Sequence, residues 1–345
     1  MRKLGIGIIL LTAIFVVLFV SKHFVPQREK VKEKPLARYT FEHLKKKQFL
    51  PSTITLGESL NEKEDYISQM FYFNLRETID GKSQYKKISG LINVPSAKQN
   101  NENGYPIIVM FRGFVPKEIY ATGIGTKRAG EVFAQNGFIT IAPDFLGYGQ
   151  SDNPSGNSIE ERFQTYTTIL TLLSSLVNLN DGLDASYSGR VKADVSKVGI
   201  WGHSNGGQIA LSVLEITGKN YPAVLWAPVS KPFPYSILYF TDEFDDHGKA
   251  LRKVVANFEN DYDIELYSSS NFYSWVNAPI QIHQGGQDDA VPLKWSDNLV
   301  KDLEKLGKDT TYFTYPNADH NLLPDGWGTA VQRSLDFYKN HLLAL

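Results

Sequence analysis

A serine between two glycines is the first position in this sequence that could carry out chemistry. An apolar run at 198–201 leads into Gly-His-Ser-Asn-Gly at 202–206, and a helix-compatible run follows. A strand, a sharp turn and a helix in this order hold a serine in a strained conformation, with its hydroxyl exposed near the positive end of the helix. Gly202 and Gly206 supply the room that such a turn needs, because larger side chains would collide with the adjacent strand or helix. Ser204 is therefore a candidate nucleophile.

The partners that a serine nucleophile needs lie further along the chain. A serine hydroxyl reacts poorly without a base and an acid that orients the base. One apolar run, beginning at Ile280, ends in a polar loop with Asp288 and Asp289, and a later run at 311–315 precedes His320 in Ala-Asp-His-Asn. The order serine, acid, histidine is one in which such triads occur. A glycine-rich turn with a capping serine is the alternative, and it leaves these downstream partners unexplained.

The three motifs together resemble those of the α/β-hydrolase family. The resemblance is greatest to the prolyl-oligopeptidase-type catalytic domain and its dienelactone-hydrolase-like relatives, and it covers roughly residues 85 to 345. It implies an α/β fold in which a mostly parallel, twisted sheet carries helices on both faces. Ligands of such sheets bind beyond the carboxyl ends of the strands. A propeller domain would show repeats of about forty residues, and no such repeat precedes the strand pattern that begins at Tyr66.

The resemblance also implies roles for individual residues. The family pattern Asp-x-x-Val-Pro selects Asp288 rather than Asp289 as the acid, with Ser204 as the nucleophile and His320 as the base. This chemistry requires no metal and no organic cofactor. We interpret His247, beside an acidic cluster, as a solvated histidine rather than a metal ligand.

A second loop is expected to complete the site. The apolar run at 106–111 opens into Arg112-Gly113-Phe114, where family members often begin with His-Gly. The resemblance implies that the backbone N–H groups of Phe114 and Asn205 form the oxyanion hole. Arg112, in the usual histidine place, is either a structural ion-pair partner or a ligand for a substrate carboxylate. Tyr148, in the loop after the next strand, either lines the pocket or packs.

The alternation of strands and helices breaks between residues 228 and 278. About fifty residues exceed an ordinary loop, and this segment is rich in aromatic residues. The resemblance predicts a lid of helices over the serine, and the aromatic side chains indicate an apolar, partly enclosed pocket. Alternatively, these aromatic side chains bury against one another and carry no information about the substrate.

The amino terminus predicts a membrane anchor. Arg2 and Lys3 precede an uncharged run at 4–21, which as a helix spans roughly 27 Å, about one bilayer core. A cleaved signal peptide is the alternative, but the run has no small-x-small cleavage site. We predict an anchor at 1–21, a charged linker at 22–38 and a hydrolase domain at 39–345. We expect a single-pass membrane protein with an extracytoplasmic catalytic domain, although the basic residues after the run favour the opposite orientation.

Composition narrows the function further. The chain has no cysteine, which excludes a thiol nucleophile and a disulfide framework, and its net charge of −1 gives no indication of a nucleic-acid partner. We predict a membrane-anchored serine hydrolase that cleaves carboxylic esters. A serine peptidase of prolyl-oligopeptidase type acting on short peptides is the first alternative. An inactive hydrolase fold used as a binding module is the second, and the retained serine, histidine and aspartate argue against it.

Overall fold

One open sheet organises the part of the chain that the structure describes. The structure, a computed structural model, describes residues 34–79, 82–96, 103–242 and 244–343, so the predicted anchor and most of the predicted linker lie outside the described residues. Within these ranges the strands are β1 Thr55–Glu62, β2 Tyr66–Ile79, β3 Lys82–Pro95, β4 Tyr105–Phe111, β5 Ile139–Pro143, β6 Ala193–His203, β7 Ala223–Trp226, β8 Ile280–Gly285 and β9 Thr310–Tyr315.

The sheet is mostly parallel, as predicted. Its strand order is β1-β2-β3-β5-β4-β6-β7-β8-β9. Strands β5, β4 and β6 to β9 run parallel to one another, whereas β1, β2 and β3 form an antiparallel meander that joins the parallel part through β5. Because the parallel strands share one carboxyl edge, the loops that follow β4, β6, β8 and β9 meet there.

Helices fill the connections between the strands. In the described ranges the α-helices are α1 Phe41–Lys46, α2 Lys127–Gln135, α3 Ser158–Ser175, α4 Leu179–Tyr187, α5 Asn205–Thr217, α6 Tyr235–Leu238, α7 Lys249–Glu259, α8 Leu293–Lys305 and α9 Trp327–Tyr338. The sequence pattern predicts one long helix over 159–179 and a polar connection after it. Instead, a 3-10 turn at Leu176–Asn178 separates α3 from α4. Leu179 and Leu183 of α4 are fully buried, which explains why the helical chain continues.

Apolar side chains cover both faces of the central strands. Ile107 and Val109 of β4 belong to a buried cluster with residues of α3 and α5, whereas Ile108 and Met110 belong to a second cluster with residues of α2 and α9. Successive side chains of a strand point to opposite faces. A strand that is buried on both faces therefore reads as a continuous apolar run, which is the pattern of 106–111.

The segment predicted to form a lid contains α6, α7 and several 3-10 turns. Its aromatic rings pack largely against one another and against α3. Phe258 lies 6.0 Å from Phe163 of α3 and 5.0 Å from Tyr267, measured between ring centroids. Most of these rings are thus core residues of the segment. Ile237 and Leu251 are the described residues of this segment that line the cavity reported below.

The first described residues pack against this segment and form hydrogen bonds with it. Pro35–Tyr39 forms a 3-10 helix, and Leu36, within the predicted linker, is buried. The Leu36 amide donates to the Tyr262 hydroxyl at 3.2 Å, and the Tyr267 hydroxyl donates to the Leu36 carbonyl at 3.2 Å. Phe41 stacks on Phe272 with 4.8 Å between ring centroids. None of the helices in the described ranges has both the length and the apolar composition needed to cross a membrane.

Replacing Leu211 by alanine tests the core beneath α5. Leu211 is fully buried between the helix and the sheet, so Leu211→Ala is expected to lower the free energy of unfolding by about 2–5 kcal/mol. Urea unfolding measures this change. Leu50→Ala is the matched control, because Leu50 is 48% exposed, and it is expected to change stability by less than about 0.5 kcal/mol. Equal effects of the two substitutions would contradict the assigned core.

Candidate active site

Ser204 lies at a strained turn between β6 and α5. Its backbone angles are φ 58° and ψ −122°, a conformation that costs a non-glycine residue about 1–3 kcal/mol. The surrounding backbone holds it there. The Ser204 amide donates to the Trp226 carbonyl at 2.9 Å, and its carbonyl accepts from Gly207 at 2.9 Å and from Val229 at 3.0 Å. Hydrogen bonds with β7 and with the segment that follows it therefore hold Ser204 in its strained conformation.

The two glycines of the motif are needed for close approach. A Cβ on Gly202 would lie 2.5 Å from the Gly206 carbonyl oxygen, and a Cβ on Gly206 would overlap the Phe111 carbonyl at the end of β4. The turn is therefore packed between its own helix and the neighbouring strand. The sequence-based explanation of both glycines agrees with this geometry.

The loop after β4 lies directly beside the serine. A Cβ on Gly113 would lie 3.0 Å from Ser204 Cβ and 3.5 Å from its Oγ. Neither the Phe114 amide nor the Asn205 amide donates a hydrogen bond to another residue in the described part of the chain. Both N–H groups are therefore available to a ligand at Ser204. The Phe114 side chain itself is exposed.

Arg112 is buried beneath this loop. Its Nη1 donates to the Gly113 carbonyl at 2.9 Å and its Nη2 to the Asp144 carbonyl at 3.2 Å. The guanidinium carbon lies 4.0 Å from the centre of the Tyr148 ring and 4.6 Å from that of Tyr120. Arg112 thus fixes the loop through carbonyl and cation–π contacts. No carboxylate among the described residues forms an ion pair with it.

Asp288 and His320 form a hydrogen-bonded pair at the same edge of the sheet. His320 Nδ1 lies 3.0 Å from Asp288 Oδ1 and 2.9 Å from Oδ2. The loops that carry the two residues are bonded through their backbones, because the Gly286 amide donates to Tyr315 at 2.8 Å and the Gln287 amide to Ala318 at 2.9 Å. A carboxylate that accepts from Nδ1 leaves Nε2 of a neutral imidazole free to accept a proton.

The Asp288 carboxylate is held by its own loop and by one buried amide. Its Oδ1 accepts from the backbone amides of Ala290 at 3.0 Å and Val291 at 2.8 Å. Its Oδ2 accepts from Gln284 Nε2 at 2.8 Å, and Ser296 donates to Gln284 Oε1 at 2.7 Å. Asp289, in contrast, is exposed. The structure thus brings Asp288, and not Asp289, to the histidine.

Gln284 and His203 contribute to the site, and sequence reasoning did not identify them. His203 Nε2 donates to the His320 carbonyl at 2.9 Å, and the two rings lie 4.7 Å apart between centroids. Since His203 precedes Ser204, this contact ties the histidine loop to the nucleophile turn. Within the described residues no hydrogen bond joins Ser204 Oγ to His320. The sequence did contain a signal for each residue. His203 lies between the glycine and the serine of the motif, and Gln284 is a polar residue at the end of a mostly apolar strand.

A cavity of about 280 Å³ is lined in part by Phe114 and Asn205, the two residues whose amides have no partner among the described residues. Its wall includes Arg112, Phe114, Tyr148, Asn205, Ile237 and Leu251. Tyr148 therefore lines the pocket, and its hydroxyl also donates to the Val115 carbonyl at 3.2 Å. In the described ranges no three histidine, aspartate or glutamate side chains are grouped so that they could hold a metal ion.

His203 makes stability depend on pH. Burial, reinforced by the neighbouring His320, lowers the pKa of His203 from 6.5 to about 4. Between these values the unfolded chain binds a proton that the folded protein does not, so stability is lost as pH falls below 6.5. We expect the free energy of unfolding to fall between pH 7 and pH 5 by about 2 kcal/mol more in the wild type than in His203→Asn.

Urea unfolding at the two pH values measures this difference. His43→Asn, at an exposed position of α1, is the matched control and should behave as the wild type does. An unchanged pH dependence in His203→Asn would show that His203 is not kept neutral by the fold.

Two family models match overlapping parts of the chain. The prolyl oligopeptidase family matches residues 179–344, and the chlorophyllase family matches residues 76–222. The uncharacterized peptidase YuxL of Bacillus subtilis is 27% identical over 138 residues, which are 39% of this chain. The match spans only 20% of that relative's length.

Solved structures with the same fold include esterases and peptidases. Acetyl xylan esterase 1 from a Thermoanaerobacterium species has a TM-score of 0.56 at 16% identity, over 88% of this chain and 94% of its own. A puromycin-hydrolyzing peptidase of Mycobacterium tuberculosis has a TM-score of 0.52 at 18% identity, over 78% of this chain and 39% of its own. At these identities the likeness establishes the fold alone.

Fold, sheet topology and family matches agree with the resemblance recognised in the sequence. The open, mostly parallel sheet with helices on both faces is the α/β-hydrolase architecture, and its family matches are to hydrolytic enzymes. The chain therefore has the α/β-hydrolase fold, and the family models that match its two overlapping parts are those of the prolyl oligopeptidase and chlorophyllase families.

Proposed function

We propose that this chain hydrolyses carboxylic esters through a Ser204–His320–Asp288 mechanism. One observation carries the proposal. Ser204 stands in a strained turn whose preceding residue, His203, contacts the His320 backbone, while His320 is hydrogen-bonded to a buried Asp288. The nucleophile, the base and the orienting acid thus come from three loops at one edge of the sheet.

The reaction proceeds in two acyl-transfer steps. In the first, Ser204 Oγ forms a bond to the ester carbonyl carbon as His320 Nε2 removes the hydroxyl proton. The carbonyl oxygen gains negative charge and accepts hydrogen bonds from the Phe114 and Asn205 amides. The bond to the leaving alkoxide then breaks, and His320 returns the proton to that oxygen. Asp288 stabilises the imidazolium but is not itself protonated.

In the second step, water takes the place of the serine. His320 removes one proton from water as its oxygen attacks the acyl carbon. The bond to Ser204 Oγ breaks, and the proton passes to the serine. The products are a carboxylic acid and the alcohol, and the enzyme returns to its starting state without any metal or organic cofactor.

Serine peptidase activity on short peptides is the second candidate. The match of residues 179–344 to the prolyl oligopeptidase family favours it. The same two steps would then release an amine, which His320 must protonate before the bond breaks. Turnover of p-nitrophenyl esters against turnover of aminoacyl p-nitroanilides separates the two candidates. Faster hydrolysis of the anilides, at matched acyl groups, would favour the peptidase.

Aspartate-to-asparagine substitutions test the assignment of the acid. Asp288→Asn should lower kcat for a p-nitrophenyl ester by about four orders of magnitude, because His320 loses its orientation and the support of its charge. Asp289→Asn is the matched control, and its activity should stay close to that of the wild type. Severe loss in Asp289→Asn, with Asp288→Asn active, would overturn the assignment.

A fluorophosphonate probe tests the nucleophile. The wild type should be labelled and Ser204→Ala should not, because the probe bonds only to an activated serine. Circular dichroism confirms that the variant is folded. Absence of labelling in both proteins would contradict the mechanism and would support the alternative of a binding module.

We also propose that residues 1–21 anchor the enzyme in a membrane, with the catalytic domain outside the cytoplasm. The proposal is supported by the uncharged run at 4–21, flanked on its amino side by Arg2 and Lys3. The full chain should sediment with membranes and keep its amino terminus, and protease added to intact cells should degrade the catalytic domain. Soluble protein that begins after residue 21 would contradict the anchor.

A further inference from the structure

The cavity lined by Phe114 and Asn205 also contains an arginine that has no hydrogen-bond or ion-pair partner among the described residues. We propose that Arg162 of α3 selects substrates whose acyl group ends in a carboxylate. This inference rests on the proposed ester hydrolysis and names the class of acyl group that the same site accepts.

The position of the cavity assigns it to the acyl group. Phe114 and Asn205, whose amides would hold the carbonyl oxygen, line it, whereas His320 is not among its described lining residues. The leaving-group oxygen must face His320 to receive its proton. The part of the substrate that extends past the amides into the cavity is therefore the acyl chain.

Arg162 lies in the wall of this cavity, near the beginning of α3. Asn157 caps that helix, accepting from the amides of Ile159 at 3.0 Å and Glu160 at 3.1 Å, so the first turn is fixed in place. No hydrogen bond or ion pair joins the Arg162 guanidinium to another residue in the described part of the chain. Its side chain is only partly accessible.

The charge of Arg162 is poorly compensated. Burial lowers the pKa of Arg162 from its ordinary value, and the nearby Tyr166 and Glu161 offset this effect only in part. Glu161 also lines the cavity, but its carboxylate is paired with Lys117 at 3.3 Å. A partly buried cation without a hydrogen-bonded counterion is unfavourable, and a carboxylate that enters the cavity supplies a matching bidentate partner.

The other arginine of the cavity does not provide this interaction. Both terminal nitrogens of Arg112 donate to carbonyl oxygens, and its guanidinium lies against the rings of Tyr120 and Tyr148. Of the two readings that the sequence leaves open for Arg112, these contacts favour a structural role. The volume of about 280 Å³ suits a short acyl chain, since it lies just below the usual volumes of pockets for drug-sized ligands.

A matched pair of esters tests the inference. Mono-p-nitrophenyl adipate and p-nitrophenyl hexanoate have acyl chains of equal length, and only the first ends in a carboxylate. We measure kcat/KM for both, after subtracting the background rate found with Ser204→Ala. The wild type should prefer the adipate. Arg162→Gln should lose about 10- to 100-fold on the adipate, the range expected for hydrogen bonds to a charged group, and should keep its rate on the hexanoate.

Two further variants separate the ion pair from general charge effects. Arg162→Lys should retain part of the preference, because it keeps the charge without the bidentate geometry. Arg128→Gln removes an exposed arginine that lies over the Trp327 ring, away from the cavity lining, and should leave the preference unchanged.

The outcomes distinguish this inference from the proposed function. If Arg162→Gln is folded, labelled by the fluorophosphonate and unchanged in its ratio of adipate to hexanoate turnover, the inference is overturned and ester hydrolysis stands. If Arg162→Gln does not fold, the comparison of the two esters with the wild type remains as the test. A wild type that hydrolyses the adipate no faster than the hexanoate overturns the inference. If the wild type hydrolyses neither ester and Ser204 is not labelled, the proposed function fails and the inference fails with it.

Discussion

The close approach of α5 to the end of β4 is the constraint on which the site depends. Gly206 lies so near the Phe111 carbonyl that no side chain fits between them, and this contact places the amino end of the helix beside the loop at Gly113. Ser204 can take its strained conformation only because β7 and the segment after it bind both its amide and its carbonyl. That one crossing thus places Ser204 and Asn205, at the amino end of α5, beside the loop after β4.

The histidine side of the site is built from backbone contacts between loops. The backbone amides of Gly286 and Gln287, in the loop after β8, donate to backbone carbonyls at the end of β9 and in the loop after it. These backbone hydrogen bonds hold the loop of Asp288 close to the loop of His320. His203 then links this pair to the nucleophile turn through the His320 carbonyl. Because that carbonyl can only accept, the hydrogen of neutral His203 lies on Nε2. A neutral imidazole makes this link without adding a second positive charge beside the base.

Local sequence signals were sufficient to predict the parallel strands and the candidate catalytic residues. Continuous apolar runs identified the parallel strands such as β4, and short motifs in the correct order identified Ser204, Asp288 and His320 as candidates. The break between α3 and α4 was not predicted, since Leu179 and Leu183 continue the apolar pattern and only the packing of the chain decides where the helix turns. β1 was not predicted either, because most of its side chains are exposed or only partly buried and its sequence lacks a clear alternation. His203 and Arg162 gain their significance from neighbours that are distant in the sequence, and Gln284 gains its own from the fold of the Asp288 loop back onto the end of β8, so no local pattern records these roles.

The attachment of Leu36 to the segment between β7 and β8 has a mechanical consequence. This segment leaves the sheet after β7 and returns at β8, and between these ends Leu36 holds it through Tyr262 and Tyr267, while Phe258 packs against Phe163 of α3. A segment fixed only at its two ends could move as a flap, whereas these contacts attach this segment to the core along its length. The part of the cavity wall that Ile237 and Leu251 form therefore belongs to a segment that is tied to the rest of the fold between its two ends as well as at them.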